Sequence, residues 1–186
     1  MMLMHTMTAA RYLTVAHLLE PSVWPAAATL READVLVDGE SLAQQGRVAT
    51  PSVRIGRAAP QVWGTSPIRQ RFVSLVVTRV ASVSPGEGHG PVDVVIDADL
   101  SGCEPHVSQT RLVGRTPPRR TVRARLRAAA AADGPRLRLP RDIAVGDLLV
   151  IPCEGTVTPG EIRCGGAEVQ SHDDAAPTCG RHVRAS

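Results

Sequence analysis

The chain has no lysine. All 21 of its basic residues are arginine, and they leave a formal charge of only +3. Arginine presents a planar fork of donors that suits phosphate better than an ammonium does, although a GC-rich coding sequence gives the same composition. Aromatics are nearly absent too, at 2% of 186 residues. A core must therefore be built from Val, Leu, Ile and Ala, which bury less area per side chain than Phe or Trp. No run reaches the ~18 apolar residues of a membrane span, so no membrane partner is expected. The opening MMLMHTMTAARYLTVAHLLEP lacks the basic lead and small-residue cleavage site of a secretory signal. Arg11 and the shortage of acids before Glu20 leave a short organellar presequence open, and the chain reads equally as the tail of a longer protein. An intracellular, soluble protein is expected, with cytoplasm and organelle matrix not distinguished.

Short cysteine motifs are also missing. Cys103, Cys153, Cys164 and Cys179 have no spacing typical of a disulfide scaffold, which points to reduced thiols. Cys164, His172, Cys179 and His182 make a zinc-type quartet in composition, but without the C-x-x-C knuckle that nucleates most structural zinc sites. No Gly-rich phosphate loop and no Ser/His/Asp order stands out, and His17, His89 and His106 suggest no chemistry.

What is present suggests short strands. PAAATLREADVLV opens with proline and good helix formers, predicting a helix over roughly 25–33. DVLVDGESL reads as a strand and a turn at Asp38-Gly39. In GTSPIRQRFVSLVVTR (64–79), Ser66-Pro67 is a good helix start, and Ile68, Phe72, Leu75, Val76 and Val80 recur at helical spacing. The β-branched residues there lean toward strand, but the periodicity favours a helix near 66–82. From Pro91 onward VDVVID, TVRARLR, RLRLP and DLLVIPC follow at the spacing of a small barrel, with Gly146-Asp147 as an entry turn. Residues 165–186 are polar and patternless, hence expected to be disordered. The fold class is α+β, mostly β: a segment over 1–90, an OB-like β-barrel over 91–164, and the tail.

In TVRARLR, Arg123, Arg125 and Arg127 fall on one face of a strand, because side chains alternate. No acid lies between 111 and 127, and Arg136 and Arg138 repeat the alternation. Such a strip repels itself unless it meets solvent or an anion, and nucleic-acid phosphate is the obvious anion. The same strip also serves as a solvated edge that resists aggregation. VVIDADLSG sets Asp97, Asp99 and Ser101 after an apolar run, in the D-x-D-x-S order of phosphate-transferring enzymes. Those enzymes also need a basic residue and further acids, and a strand ending in a turn explains the same residues.

TSPIRQRFVSLVVTR resembles the signature of the RNB family, the ribonuclease II/R-type exoribonucleases, which carry a run close to T-S-P-I-R-R-Y-x-D-L-V-x-H-R. Thr65, Ser66, Pro67, Ile68 and Arg69 match directly. With Gln70 as an insertion, Arg71, Phe72, Leu75, Val76, Val77 and Arg79 match or are close. IGRAAPQVWG is similar to the family's lead-in, through Gly56 and Trp63. The resemblance spans residues 55–79. It implies a 3′-to-5′ exoribonuclease segment followed by an OB-type domain, with Arg69 as the catalytic phosphate contact and single-stranded RNA as partner. Arg71 and Phe72 join Arg123, Arg125 and Arg127 as RNA-binding residues. Membership of a larger RNA-degradation complex is a further implication. The family's Mg²⁺ is held by clustered aspartates, whereas only Asp34 and Asp38 precede Thr65, and Ser74 replaces the motif's Asp. No metal or other cofactor is therefore expected in this chain, Mg²⁺ entering only if it is part of a longer RNB enzyme. The alternative is a non-enzymatic β-barrel interaction module such as the N-domain of an AAA ATPase, whose closing strands LRLPRDIAVGDLLVIPC resembles.

Overall fold

A computed structural model describes residues 22–59, 71–86, 88 and 90–163. The first unit is built around one carboxylate. Strands β1 (Ala28–Arg31), β2 (Asp34–Val37) and β3 (Glu40–Ser41) form a small antiparallel sheet. The two-residue loop between β2 and β3 is Asp38-Gly39, with φ of 52° and 83°, the positive pair that a type I′ hairpin requires. Asp34 accepts the amides of Val35 at 2.8 Å and Ala43 at 2.9 Å, together with the Ser41 hydroxyl. Ser41 in turn caps helix α1 (Leu42–Val48) by accepting the Gln44 amide.

The helix expected over 25–33 is instead β1 and a turn. Four residues there pair with β2 from Ala28↔Val37 to Arg31↔Asp34, and so short an isolated segment cannot offset the cost of a helical nucleus.

The remaining strands are β4 (Ser52–Arg57), β5 (Phe72–Ser84), β6 (Val92–Ile96), β7 (Arg111–Val113), β8 (Thr121–Ala128), β9 (Arg136–Pro140) and β10 (Leu148–Glu154). They make one sheet of order β7-β10-β5-β6-β8-β9, with β4 added on β5. The sheet curls into a nearly closed barrel, and a 3₁₀ turn at Val107–Gln109 packs against both β9 and β10. The described residues are thus mostly β, with one helix and a barrel, as the strand-and-turn pattern implies. The sheet also crosses the boundary expected at 90–91, because β4 and β5 belong to it.

The helix expected near 66–82 is corrected over its described part: residues 72–84 are β5. Its first half lies between β4 and β10, and its second half turns onto β6 through an irregularity between Val80 and Ser82. Val73, Leu75 and Val77 pack on Trp24, Val35, Val37 and Leu42 of the first unit. Val76 and Val80 point the other way, to Leu126, Leu149 and Ile151 inside the barrel. A strand covered on both faces reads as an unbroken apolar run, and its valines fall at helical spacing by coincidence. Residues 60–70, including Ser66-Pro67, lie outside the described residues, as does the tail expected to be disordered.

Candidate functional site

The β8–β9 hairpin concentrates unpaired positive charge. Ala124, Leu126 and Ala128 of β8, with Leu137 and Leu139 of β9, are buried in the barrel. Alternation therefore sends Arg123, Arg125 and Arg127 outward from β8, and Arg136 and Arg138 outward from β9. The shared face expected for the first three is present. The register sets Arg123 directly opposite Arg138, and Arg125 opposite Arg136. Arg120 and Arg141 meet at the base of the ribbon, where the Arg141 amide donates to the Arg120 carbonyl at 2.9 Å.

The carboxylates divide this face in two. Arg125 is matched across parallel β6 by Asp93, with Nε to Oδ1 at 2.6 Å and Nη2 to Oδ2 at 3.2 Å. Asp133 adds a second carboxylate at 3.5 Å. The Arg125 hydrogen bond, aided by the Arg125 and Arg127 charges, holds the Asp93 carboxyl below its ordinary value against the opposing effect of burial. Arg127 donates to the Ala131 carbonyl at 2.9 Å.

Arg119, Arg120, Arg123, Arg136, Arg138 and Arg141 are all exposed, and none has an ion-pair partner among the described residues. Arg138 donates only to the Thr121 hydroxyl at 3.1 Å. Arg123, Arg136 and Arg138 line an open hollow of about 550 Å³ with Pro91, Ser108 and Leu137. Like charges directly opposite in a sheet destabilise it, and Arg123 and Arg138 carry that cost across the hairpin. Arg119 and Arg120 belong to the acid-free run 111–127 that the sequence already marks as basic, whereas Arg141 was missed, although it directly follows Pro140.

The other expected site residues are dispersed. Arg69 lies outside the described residues. Arg71 is ion-paired with Glu154. Phe72 is 39% exposed at the start of β5, and Ile55, 45% exposed, lies diagonally across from it on β4. Asp97, the first acid of the D-x-D-x-S run, is a structural acceptor for the Thr78 hydroxyl at 2.6 Å and the Arg79 amide at 2.9 Å. Asp99 accepts the Ser101 amide at 2.9 Å, as an aspartate in a turn does.

An RNB-type Mg²⁺ does not fit these residues. Asp34 is consumed by the first unit, Asp38 is at a hairpin tip beside Arg54, and no group of three or more His, Cys, Asp or Glu converges among the described residues. The zinc-type quartet lies outside them. No described helix is long and apolar enough to cross a membrane.

Arg115, by contrast, is neutralised within the fold. Arg115 grips Asp147 side-on, Nε to Oδ1 at 2.8 Å and Nη2 to Oδ2 at 2.7 Å, and also reaches Asp142 at 2.8 Å. The clasp ties the turn after β7 to the Gly146-Asp147 entry of β10.

No family model matches the chain, and no curated protein matches it. Among solved structures, a Paramecium bursaria Chlorella virus arginine decarboxylase aligns at 18% identity over 44% of this chain and 24% of that one, with a TM-score of 0.34. A second structure of the viral enzyme, bound to agmatine, aligns at 16% identity over 48% of this chain and 29% of that one, with a TM-score of 0.35. The chain spans less than a third of the length of either decarboxylase structure.

Proposed function

We propose that the chain is a β-barrel that binds single-stranded RNA along the β8–β9 ribbon, without a catalytic metal centre of its own. The observation that carries this reading is the set of six exposed arginines with no ion-pair partner among the described residues, two of them facing each other across the hairpin. Each can fork onto a phosphate, and each phosphate neutralised releases counterions. The choice of single-stranded RNA rests on the RNB-type resemblance at Thr65–Arg69. The direct test is binding of a labelled short RNA by the full chain across a salt series. A steep fall of log K with log salt supports the proposal, while no binding at low salt, or binding indifferent to salt, ends it.

A second reading, a protein-interaction module of the AAA N-domain kind, is favoured by one observation. Among the described residues β5 is the one strand that pairs with β4, and the other edge of β4 is engaged at its end, where the Ala26 amide donates to the Arg57 carbonyl at 2.8 Å and Pro25 bridges Ala58, beside exposed Ile55 and Phe72. An added peptide strand uses the edge of a sheet. That binding is carried by backbone hydrogen bonds and is far less sensitive to salt.

A further inference from the structure

Two thiols fifty positions apart in the chain meet at one end of the barrel. The sulfurs of Cys103 and Cys153 are 3.6 Å apart, and both cysteines are free. Cys153 is fully buried in β10, whereas Cys103 is half-buried in the loop that follows β6. The backbone fixes this approach. Pro105 bridges Cys153, the Glu154 amide donates to the Glu104 carbonyl at 3.0 Å, and the His106 amide donates to the Pro152 carbonyl at 2.8 Å. The loop just after Cys103 is therefore held against β10, through hydrogen bonds on both sides of Cys153. The gap to close runs from 3.6 Å to the ~2.05 Å of a disulfide.

We propose that Cys103 and Cys153 are a thiol–disulfide site, which takes a low-molecular-weight disulfide of the glutathione class as oxidant and closes into an intramolecular bond. Cys103 is the attacking thiol. It is the more accessible of the two, and the S–H of Cys153 donates to its sulfur. That hydrogen bond lowers the Cys103 thiol below its ordinary value, against burial and the nearby Asp99 and Glu161 carboxylates. The same hydrogen bond, with burial, pushes Cys153 up, as befits a thiol that reacts second. In the first step the Cys103 thiolate attacks one sulfur of oxidised glutathione, forming a mixed disulfide and releasing one glutathione thiolate. In the second, Cys153 gives up its proton to solvent and attacks the Cys103 sulfur, displacing the second glutathione. The two cysteines lose two electrons and two protons, and one disulfide is reduced to two thiols. The product joins the loop entering β7 covalently to β10.

The full chain, treated with oxidised glutathione and then alkylated, reports this directly. Because every basic residue is arginine, trypsin places Cys103 in 80–111, Cys153 in 142–163, and Cys164 with Cys179 together in 164–181. The expected product is one cross-link joining 80–111 to 142–163. The oxidised chain should melt roughly 8–16 °C above the reduced one, from the loop entropy removed across fifty residues. Cys103→Ser should lose both the cross-link and the rise while melting like the reduced wild type. A cross-link to 164–181, a mixed glutathione adduct on Cys103 that does not resolve, or a melting rise that persists in Cys103→Ser overturns the assignment. Cys103→Ser is the informative variant because Cys153 is packed in the core, where substitution also disturbs folding.

Discussion

Replacing Arg123 and Arg138 together by Ala separates a polyanion-binding ribbon from a merely solvated one. If each of the six unpaired arginines reaches one phosphate, the slope of log K against log salt is about −4 for a single strand. Raising salt from about 50 to about 200 mM then weakens wild-type binding by roughly 300-fold. Removing two contacts brings the slope to about −3 and the loss over the same range to roughly 50-fold. The double variant should melt no lower than the wild type, because the substitution removes two like charges held opposite each other and no ion pair. Arg125→Ala is the internal control. Its charge already answers Asp93 and Asp133, so it should leave the slope nearly unchanged. The sequence alone gives Arg123, Arg125 and Arg127 equal weight, and the ion pairs remove that equality. Anisotropy of a labelled RNA across the salt series, with a thermal melt of each variant, measures all of this. An unchanged slope in the double variant, or an Arg125→Ala slope that falls as far as the double variant's, refutes the reasoning.

Three further outcomes are expected. Arg115→Ala should cost about 2 kcal/mol at neutral pH in denaturant titration, less than a fully buried pair because Arg115 is one-third exposed while Asp147 is 11% exposed. Burial pushes the Asp147 carboxyl up, but the Arg115 hydrogen bond, the Ala144 amide and the Arg115 charge together hold it below its ordinary value. That contribution is present above the unfolded value of about 3.9 and disappears as pH falls through the lower folded value. The gap between variant and wild type should therefore narrow in acid, and a gap constant down to pH 3 or so contradicts the assignment. Gly134→Ala should destabilise by about 2–3 kcal/mol, since a Cβ there meets the Leu126 carbonyl oxygen at 1.8 Å and the hairpin backbone must shift; a cost under about 0.5 kcal/mol contradicts the close approach. With Mg²⁺ or Mn²⁺ the chain should leave end-labelled RNA intact, and shortening that EDTA abolishes would show a carboxylate centre that these residues do not assemble.

The β-rich class, the Asp38-Gly39 hairpin, the closing strands and the outward arginines of β8 were all legible, because each rests on local chemistry or period-two alternation. β5 was not. Its valines are buried on both faces, so alternation vanishes and the apolar residues imitate a helical stripe behind a good Ser-Pro start. Helix α1 was overlooked because its seven residues are too few to show a period, although Ser41 three positions before Gln44 is a capping signal. The cancellation of Arg125 by Asp93 depends on a parallel β6–β8 pairing across 32 positions, and the Cys103–Cys153 approach on one across fifty. Neither leaves a trace in local sequence.

The double-sided burial of β5 also governs how the protein comes to exist. A strand that supplies side chains to both hydrophobic clusters cannot be withdrawn from one without opening the other, so the two clusters should melt in a single transition. The amides at the centre of β5 should be the last to exchange with solvent. Synthesis imposes the opposite order of events. β10, the neighbour that seals β5, is separated from the end of β5 by 63 residues. At ordinary translation speeds the nascent chain carries an unsealed Val/Leu strand for roughly 3–13 s before its partner is made. The strand that makes the finished protein indivisible is thus the one most exposed to misassociation while the chain is being made.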